Sequence, residues 1–233
     1  MPAYKVILFD LDGTITDPKV GITRSVQYAL RKMDIAAPEV DQLEAFIGPP
    51  LQDSFADYFG FDEHQTEEAI EYYRERFKEK GIFENELYPG ISCLLSFLRE
   101  QQFQLMIATS KPTVFAEQIL RHFEIHHYFD FVVGSNLNGT RTSKAEIIRY
   151  ILEEYSQHKP EDFIMIGDRK HDILGASQNG IDSAGVLYGY GSIAELQNSK
   201  PTYLVENVEQ LKGIFMQSEY LIATSSITGK AGN

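Results

Sequence analysis

The chain has 233 residues, 43% of them hydrophobic, enough to bury a sizeable core as one large domain or two modest ones. Its formal net charge of -13 argues against the cationic surface on which nucleic-acid and anionic-membrane binding rest, so an anionic ligand needs locally placed cations. No apolar run reaches the roughly 18 to 20 residues of a membrane span, and MPAYKVILF lacks the marks of a signal peptide, so a soluble, cytoplasmic protein is expected.

The first element is a strand: Val6, Ile7, Leu8 and Phe9 form a continuous apolar run of parallel-sheet type, ending in Asp10-Leu11-Asp12-Gly13-Thr14. Residues 17–86 then read as four helices, VGITRSVQYALRKM, VDQLEAFI, LQDSFADYF and HQTEEAIEYYRERFKEK, with no strand candidate among them. This segment holds 16 acidic and 8 basic side chains, a net of -8, as expected of amphipathic helices with a solvated face. Gly48-Pro49-Pro50 is a rigid turn between two of these helices, and Asp17 stands where a helix cap is wanted.

The chain returns near Tyr88-Pro89-Gly90, and from there helices and short apolar strands alternate. Helical patterns at 91–101, 113–123 and 143–155 are interleaved with strands QLMIATS (104–110), FDFVVGS (129–135) and DFIMIGD (162–168). A helix over 172–180 closes at Gly180, a strand follows around Ser183 to Leu187, and 201–215 supplies a last strand and helix. Such alternation predicts an α/β fold, a Rossmann-like parallel sheet of about six strands with helices on both faces. The domain boundaries expected are 1–16 with 87–216 for this core, 17–86 for a helical insertion, and 217–233 for a loosely held tail.

Cys93 is the only cysteine, so no intrachain disulfide forms, and the adjacent His126 and His127 lack partners at metal-ligand spacing. The chemistry is instead concentrated where parallel strands end, beyond their carboxyl edges. The first strand delivers Asp10 and Asp12, which strand alternation sends to one side while Leu11 packs away. The 104–110 strand delivers Thr109, Ser110 and Lys111; the 162–168 strand delivers Gly167 and Asp168, with Asp172 one helical turn on; Lys144 opens the helix after the third strand. Asp10, Asp12 and Asp168 together make an all-oxygen site suited to Mg²⁺ rather than zinc. A calcium loop fails, because Gly13 comes at the fourth position instead of the sixth and Gly21 stands where a bidentate Glu is required.

The ordered set Asp10-Leu11-Asp12-Gly13-Thr14, Thr109, Lys144 and Gly167-Asp168 with Asp172 resembles the haloacid dehalogenase superfamily. The likeness is to its phosphoglycolate phosphatase-like group, with a helical cap after the first strand, and it covers all but the C-terminal tail. The resemblance implies that Asp10 is a nucleophile forming an aspartyl-phosphate, and that Asp12 is the acid and base for the leaving alcohol and the water. That second role asks for an Asp12 pKa raised by anionic neighbours or by desolvation. It further implies that Thr109, Ser110 and Lys144 bind phosphate, and that Asp10, Asp168 and the Asp12 backbone carbonyl hold Mg²⁺. Asp172 would act behind them, through water or by orienting Lys144. Arg169, Lys170 and His171 are expected to form a solvent-facing basic edge. The implied substrate is a small phosphorylated metabolite, phosphoglycolate or a nucleoside 5'-monophosphate. A phosphosugar mutase of the β-phosphoglucomutase type and a non-catalytic regulatory protein that kept the fold stand as alternatives. Oligomeric state is not set by the sequence.

Overall fold

The computed structural model describes residues 4–216. Strand β1 (Val6–Phe9) is buried on both faces, and its alternation explains the unbroken apolar run. Ile7 and Phe9 enter one core cluster with Leu105, Ile107, Ile164 and Ile166; Val6 and Leu8 enter the other with Met106, Ala108, Phe163 and Met165.

A two-residue strand β2 (Thr16–Asp17) follows, then helices α1 (Lys19–Lys32), α2 (Leu51–Phe59) and α3 (Glu63–Glu79), with a 3-10 helix over Val40–Phe46 between the first two. Phe46, Phe55, Phe59 and Phe61 pack against one another here, the Phe46 and Phe55 rings 5.0 Å apart. α3 starts at a capping box in which the Asp62 carboxylate accepts from the Gln65 N–H. Strand β3 (Glu86–Leu87) then pairs antiparallel with β2, Thr16 opposite Leu87 and Asp17 opposite Glu86. This ribbon corrects the expectation that 17–86 holds no strand. Two residues per strand are too few to show alternation, so no periodicity marks it.

The rest alternates as expected: α4 (Ile91–Glu100), β4 (Gln104–Pro112), α5 (Thr113–His122), β5 (Phe131–Ser135), α6 (Lys144–Glu154), β6 (Phe163–Gly167), α7 (Lys170–Gln178) and β7 (Asp182–Val186). After β7 come α8 (Ile193–Ser199), a short helix absent from the elements expected above, and β8 (Tyr203–Val205). A further helix runs over 208–216, and the expected tail over 217–233 lies outside the described residues. The six long-range strands form one parallel sheet in the order β5-β4-β1-β6-β7-β8.

Register places the chemistry. Phe9 is level with Ile107 of β4 on one side and with Ile166 of β6 on the other. Asp10, Thr109 and Asp168, one or two residues further on, therefore stand at the same edge, at the ends of the adjacent strands β4, β1 and β6.

Candidate active site

Asp10, Asp12, Thr109, Lys144, Asp168 and Asp172 are all buried, a dense group of polar side chains in an otherwise apolar core. Each is held by local chemistry. Ser143 and Glu146 form a capping box that starts α6 and sets Lys144 at its first turn. A cation there opposes the helix dipole, so it must be compensated from elsewhere. Lys144 Nζ lies 2.8 Å from Asp10 Oδ1 and 2.8 Å from Asp172 Oδ1, and it donates to the Ala108 carbonyl at 2.7 Å. Burial works against the Lys144 charge, but Asp10 and Asp172 outweigh it and raise the pKa above the ordinary lysine value.

Asp10 Oδ1 also accepts the Leu11 N–H at 2.8 Å. Asp12, two residues on, pairs differently: its Oδ2 lies 2.7 Å from Lys111 Nζ, while its Oδ1 is buried with no hydrogen-bond partner. Burial raises the Asp12 pKa; Lys111 opposes that shift, and the charge of Asp10 adds to it. Lys111 is a residue that sequence reasoning left unranked. Its placement follows from an irregularity in β4, whose register with β5 shifts between Ala108 and Pro112. Bulged strand ends re-aim side chains, and here the shift brings the Lys111 ammonium to Asp12 and over the Phe77 ring at 4.5 Å. Thr109 is buried at this strand end, its Oγ1 accepting the Lys111 N–H at 3.2 Å, and Ser110 beside it is half-buried.

Asp168 is gripped from two sides. Its Oδ2 accepts the Tyr190 N–H at 2.7 Å and its Oδ1 the Thr14 hydroxyl at 3.4 Å. The signal for Tyr190, the Gly-aromatic run Leu187-Tyr188-Gly189-Tyr190-Gly191 just after β7, was present in the sequence but was not read. Gly13 makes the close packing possible: its φ is +81°, and a Cβ there would stand 2.2 Å from Asp168 Oδ2. Gly13→Ala should therefore destabilise the fold by more than the ~1 kcal/mol that a left-handed backbone alone costs, measured as a fall in the denaturant midpoint.

Asp10, Asp168 and Asp172 each offer an oxygen, and these oxygens lie within 4.8 Å of one another. Asp172 joins Asp10 and Asp168 in this side-chain cluster, while the Asp12 carboxylate turns to Lys111 and leaves its backbone carbonyl as the atom it could offer a cation. Burial, then the charges of Asp172 and Asp10, push Asp168 well above the usual carboxylate range; burial also raises Asp172, against the pull of Lys144. Three buried carboxylates, two of them strained toward protonation, fit a hard divalent cation that would offset their repulsion.

Other expectations meet the structure less directly. Pro18, not Asp17, holds the cap position of α1; Asp17 stands one residue before it, where its Oδ1 accepts the Lys19 N–H at 3.0 Å and also receives the Tyr190 hydroxyl. His127 lies against the ring of Tyr128 in a 3-10 turn. The solvent-facing basic edge is corrected: Lys170 is exposed, but Arg169 and His171 are half-buried, and the Arg169 side chain is only 13% exposed.

Beside Asp12 lies a pocket of about 50 Å³, walled by Phe46, Gly48, Pro49, Pro50, Tyr73 and Phe77 among others. It lies between the helical segment and the strand ends that carry Asp12 and Lys111.

Residues 7–186 match the family model described as haloacid dehalogenase-like hydrolase, a span that takes in the sheet as far as β7, the helical segment, and Asp10, Asp12, Thr109, Lys144, Asp168 and Asp172. The chain belongs to that family, and it is an enzyme of the hydrolase class. Over 211 residues it is 48% identical to the "5'-nucleotidase" of Pseudomonas aeruginosa, covering 91% of this chain and 95% of that one. It is 38% identical to the "Tyrosine-protein kinase PtkA" of Mycobacterium tuberculosis over 80% of this chain, and spans 63% of that protein's length. The crystal structure of "a predicted phosphatase from Clostridium acetobutylicum" superposes with a TM-score of 0.89 at 49% identity, covering 92% of this chain and 99% of that one. No helix among the described residues is long and apolar enough to cross a membrane.

Proposed function

We propose that the chain is a Mg²⁺-dependent phosphatase of small phosphate monoesters, with nucleoside 5'-monophosphates the leading substrate class and phosphoglycolate the second. The observation that carries this reading is the division of labour between Asp10 and Asp12. Both are buried at one strand end, yet Asp10 is bound to Lys144 at 2.8 Å while Asp12 keeps one buried oxygen without a partner. Support for phosphate as the group transferred comes from the family and from the names carried by its similar members.

Asp10 Oδ1 is held by the Leu11 N–H and by Lys144, so the carboxylate is fixed in orientation and its other oxygen is the one that attacks phosphorus. As that bond forms, the bond from phosphorus to the ester oxygen breaks. Asp12 gives its proton to the departing oxygen, releasing the alcohol and leaving an aspartyl-phosphate on Asp10. Its partnerless Oδ1, with the pKa raised by burial, is the atom suited to carry that proton. Asp12, now ionised, takes a proton from water as the water oxygen attacks phosphorus; inorganic phosphate leaves and Asp10 is restored. Lys144 and the Thr109 and Ser110 hydroxyls neutralise and orient the phosphoryl oxygens.

Asp10, Asp168 and the Asp12 backbone carbonyl are the groups that would hold Mg²⁺, with Asp172 in the same carboxylate cluster tied to Lys144 behind them; the cation when bound supplies positive charge to the phosphoryl oxygens. Residues 17–86 act as a cap domain over the core formed by 1–16 and 87–216, closing on the leaving group and excluding water. The pocket beside Asp12, walled by cap residues Phe46, Gly48, Pro49, Pro50, Tyr73 and Phe77, is where the leaving group would lie.

The test is phosphate release from a panel of monoesters after exhaustive chelation and on adding back single cations. The reading predicts no release without metal, recovery with Mg²⁺, and little recovery with the larger Ca²⁺. Full activity in the chelated protein contradicts the metal assignment. Exchange between phosphosugar isomers without phosphate release would make the chain a mutase instead.

A further inference from the structure

Arg169 directly follows Asp168, yet its side chain does not enter the carboxylate cluster. It runs away from it to the helical segment, where Nη1 donates to the Ile47 carbonyl at 2.6 Å. Its Nε donates to Glu195 Oε1 at 2.9 Å, and the same oxygen receives the Lys170 N–H at 2.9 Å. Glu195 is thus tied to the start of α7 while it holds the arginine extended. At the root of the side chain, the Arg169 N–H donates to Asp172 Oδ2 at 3.0 Å. Along its length the stem passes close to Gly48, where a Cβ would stand 2.9 Å from Arg169 Cγ and where φ is +103°.

We infer that Arg169 is a positioning residue that sets the wall Gly48-Pro49-Pro50 against Asp12, and through that wall governs affinity for the leaving group. Three features support this. The acceptor on the helical segment is a backbone carbonyl, so the bond reads where the main chain runs. The two prolines that follow are stiff, so fixing Ile47 fixes the wall as a unit. The wall lines the pocket that holds Asp12, while the arginine is anchored one residue from Asp168. Closure of the wall is thereby tied to the strand end that carries the catalytic carboxylates. Lys170, next in sequence and exposed, has only its backbone in this chain of contacts.

The inference rests on the phosphatase reading for its kinetic arm alone. Hydrogen exchange of segment 47–51 is compared in the wild type, Arg169→Ala, Glu195→Ala and Lys170→Ala, alongside kcat and KM for adenosine 5'-monophosphate and inhibition by inorganic phosphate. Arg169→Ala should speed exchange at the Ile47 and Gly48 amides. It should also raise KM by about tenfold or more, the scale of a misplaced contact, while inorganic phosphate, which fills only the phosphoryl site, inhibits as before. Glu195→Ala, which touches neither the wall nor the carboxylates, should reproduce the pattern more weakly, and Lys170→Ala should match the wild type. Unchanged exchange in both Arg169→Ala and Glu195→Ala overturns the inference. So does a phosphate inhibition constant that rises in step with KM, which would place Arg169 at the phosphoryl site. A wild type that releases no phosphate from any monoester sinks the phosphatase reading instead, and the exchange data still decide the role of Arg169.

Discussion

Asp10→Asn is expected to lower phosphate release by at least about four orders of magnitude, the scale seen when a covalent nucleophile is removed. The amide has the shape of the carboxylate, and its oxygen still accepts the Leu11 N–H and the Lys144 ammonium that Asp10 Oδ1 accepts now. What it loses is the nucleophilic charge. The variant should therefore fold, and its unfolding transition should remain cooperative while turnover disappears. A merely structural Asp10 predicts the opposite, a weakened fold with rates that follow the folded fraction. Steady-state release measured beside thermal unfolding separates the two.

The second large effect concerns Lys144. Its ammonium is the shared partner of Asp10 and Asp172 at 2.8 Å each and is 3% exposed, so solvent cannot replace it. Lys144→Met keeps the length and packing of the stem but leaves two buried carboxylates facing each other without a cation. Breaking a buried pair in this way costs about 3–5 kcal/mol, and the metal-free protein should show the full loss as a shift of the urea midpoint. Activity should vanish as well, since the phosphoryl group loses its compact positive partner. A stability loss below about 1 kcal/mol, within the range of an exposed pair, would mean that the Lys144 contacts are not those drawn above. Adding Mg²⁺ should recover part of the lost stability, because the cation would face the same carboxylates.

The sheet and its carboxylates were legible for a common reason. A strand buried on both faces must be apolar at every position, and β1 and β6 are; the first polar residue beyond each then marks the edge where ligands gather. Asp10 and Asp168 fall at those positions. Lys144 was legible as the residue that opens the helix after the third strand, and its role came only with the resemblance; the Ser143–Glu146 capping box that fixes this start is seen in the structure. The features that stayed hidden depend on distance in the chain or on local irregularity. The Arg169 bond to Ile47 spans 122 residues, and no sequence pattern connects the two. The Lys111 contact with Asp12 depends on a register shift at the end of β4, which alternation alone does not predict. The β2–β3 ribbon is too short to have a period, and α8 is a seven-residue helix whose capping serine, Ser192, was the single cue to its start.

The covalent step is the centre of the account, and it is tested by trapping. Wild-type protein, Asp12→Ala and Asp10→Asn are mixed with a nucleoside 5'-monophosphate and Mg²⁺, quenched in acid within one turnover and digested for peptide mass analysis. The account predicts one added phosphoryl group on the peptide containing Asp10, accumulated most in Asp12→Ala if a reactive substrate carries the first step, and absent from Asp10→Asn. Prompt phosphate release by the wild type with no phosphorylated peptide at any quench time, or the group found on a residue other than Asp10, would contradict it.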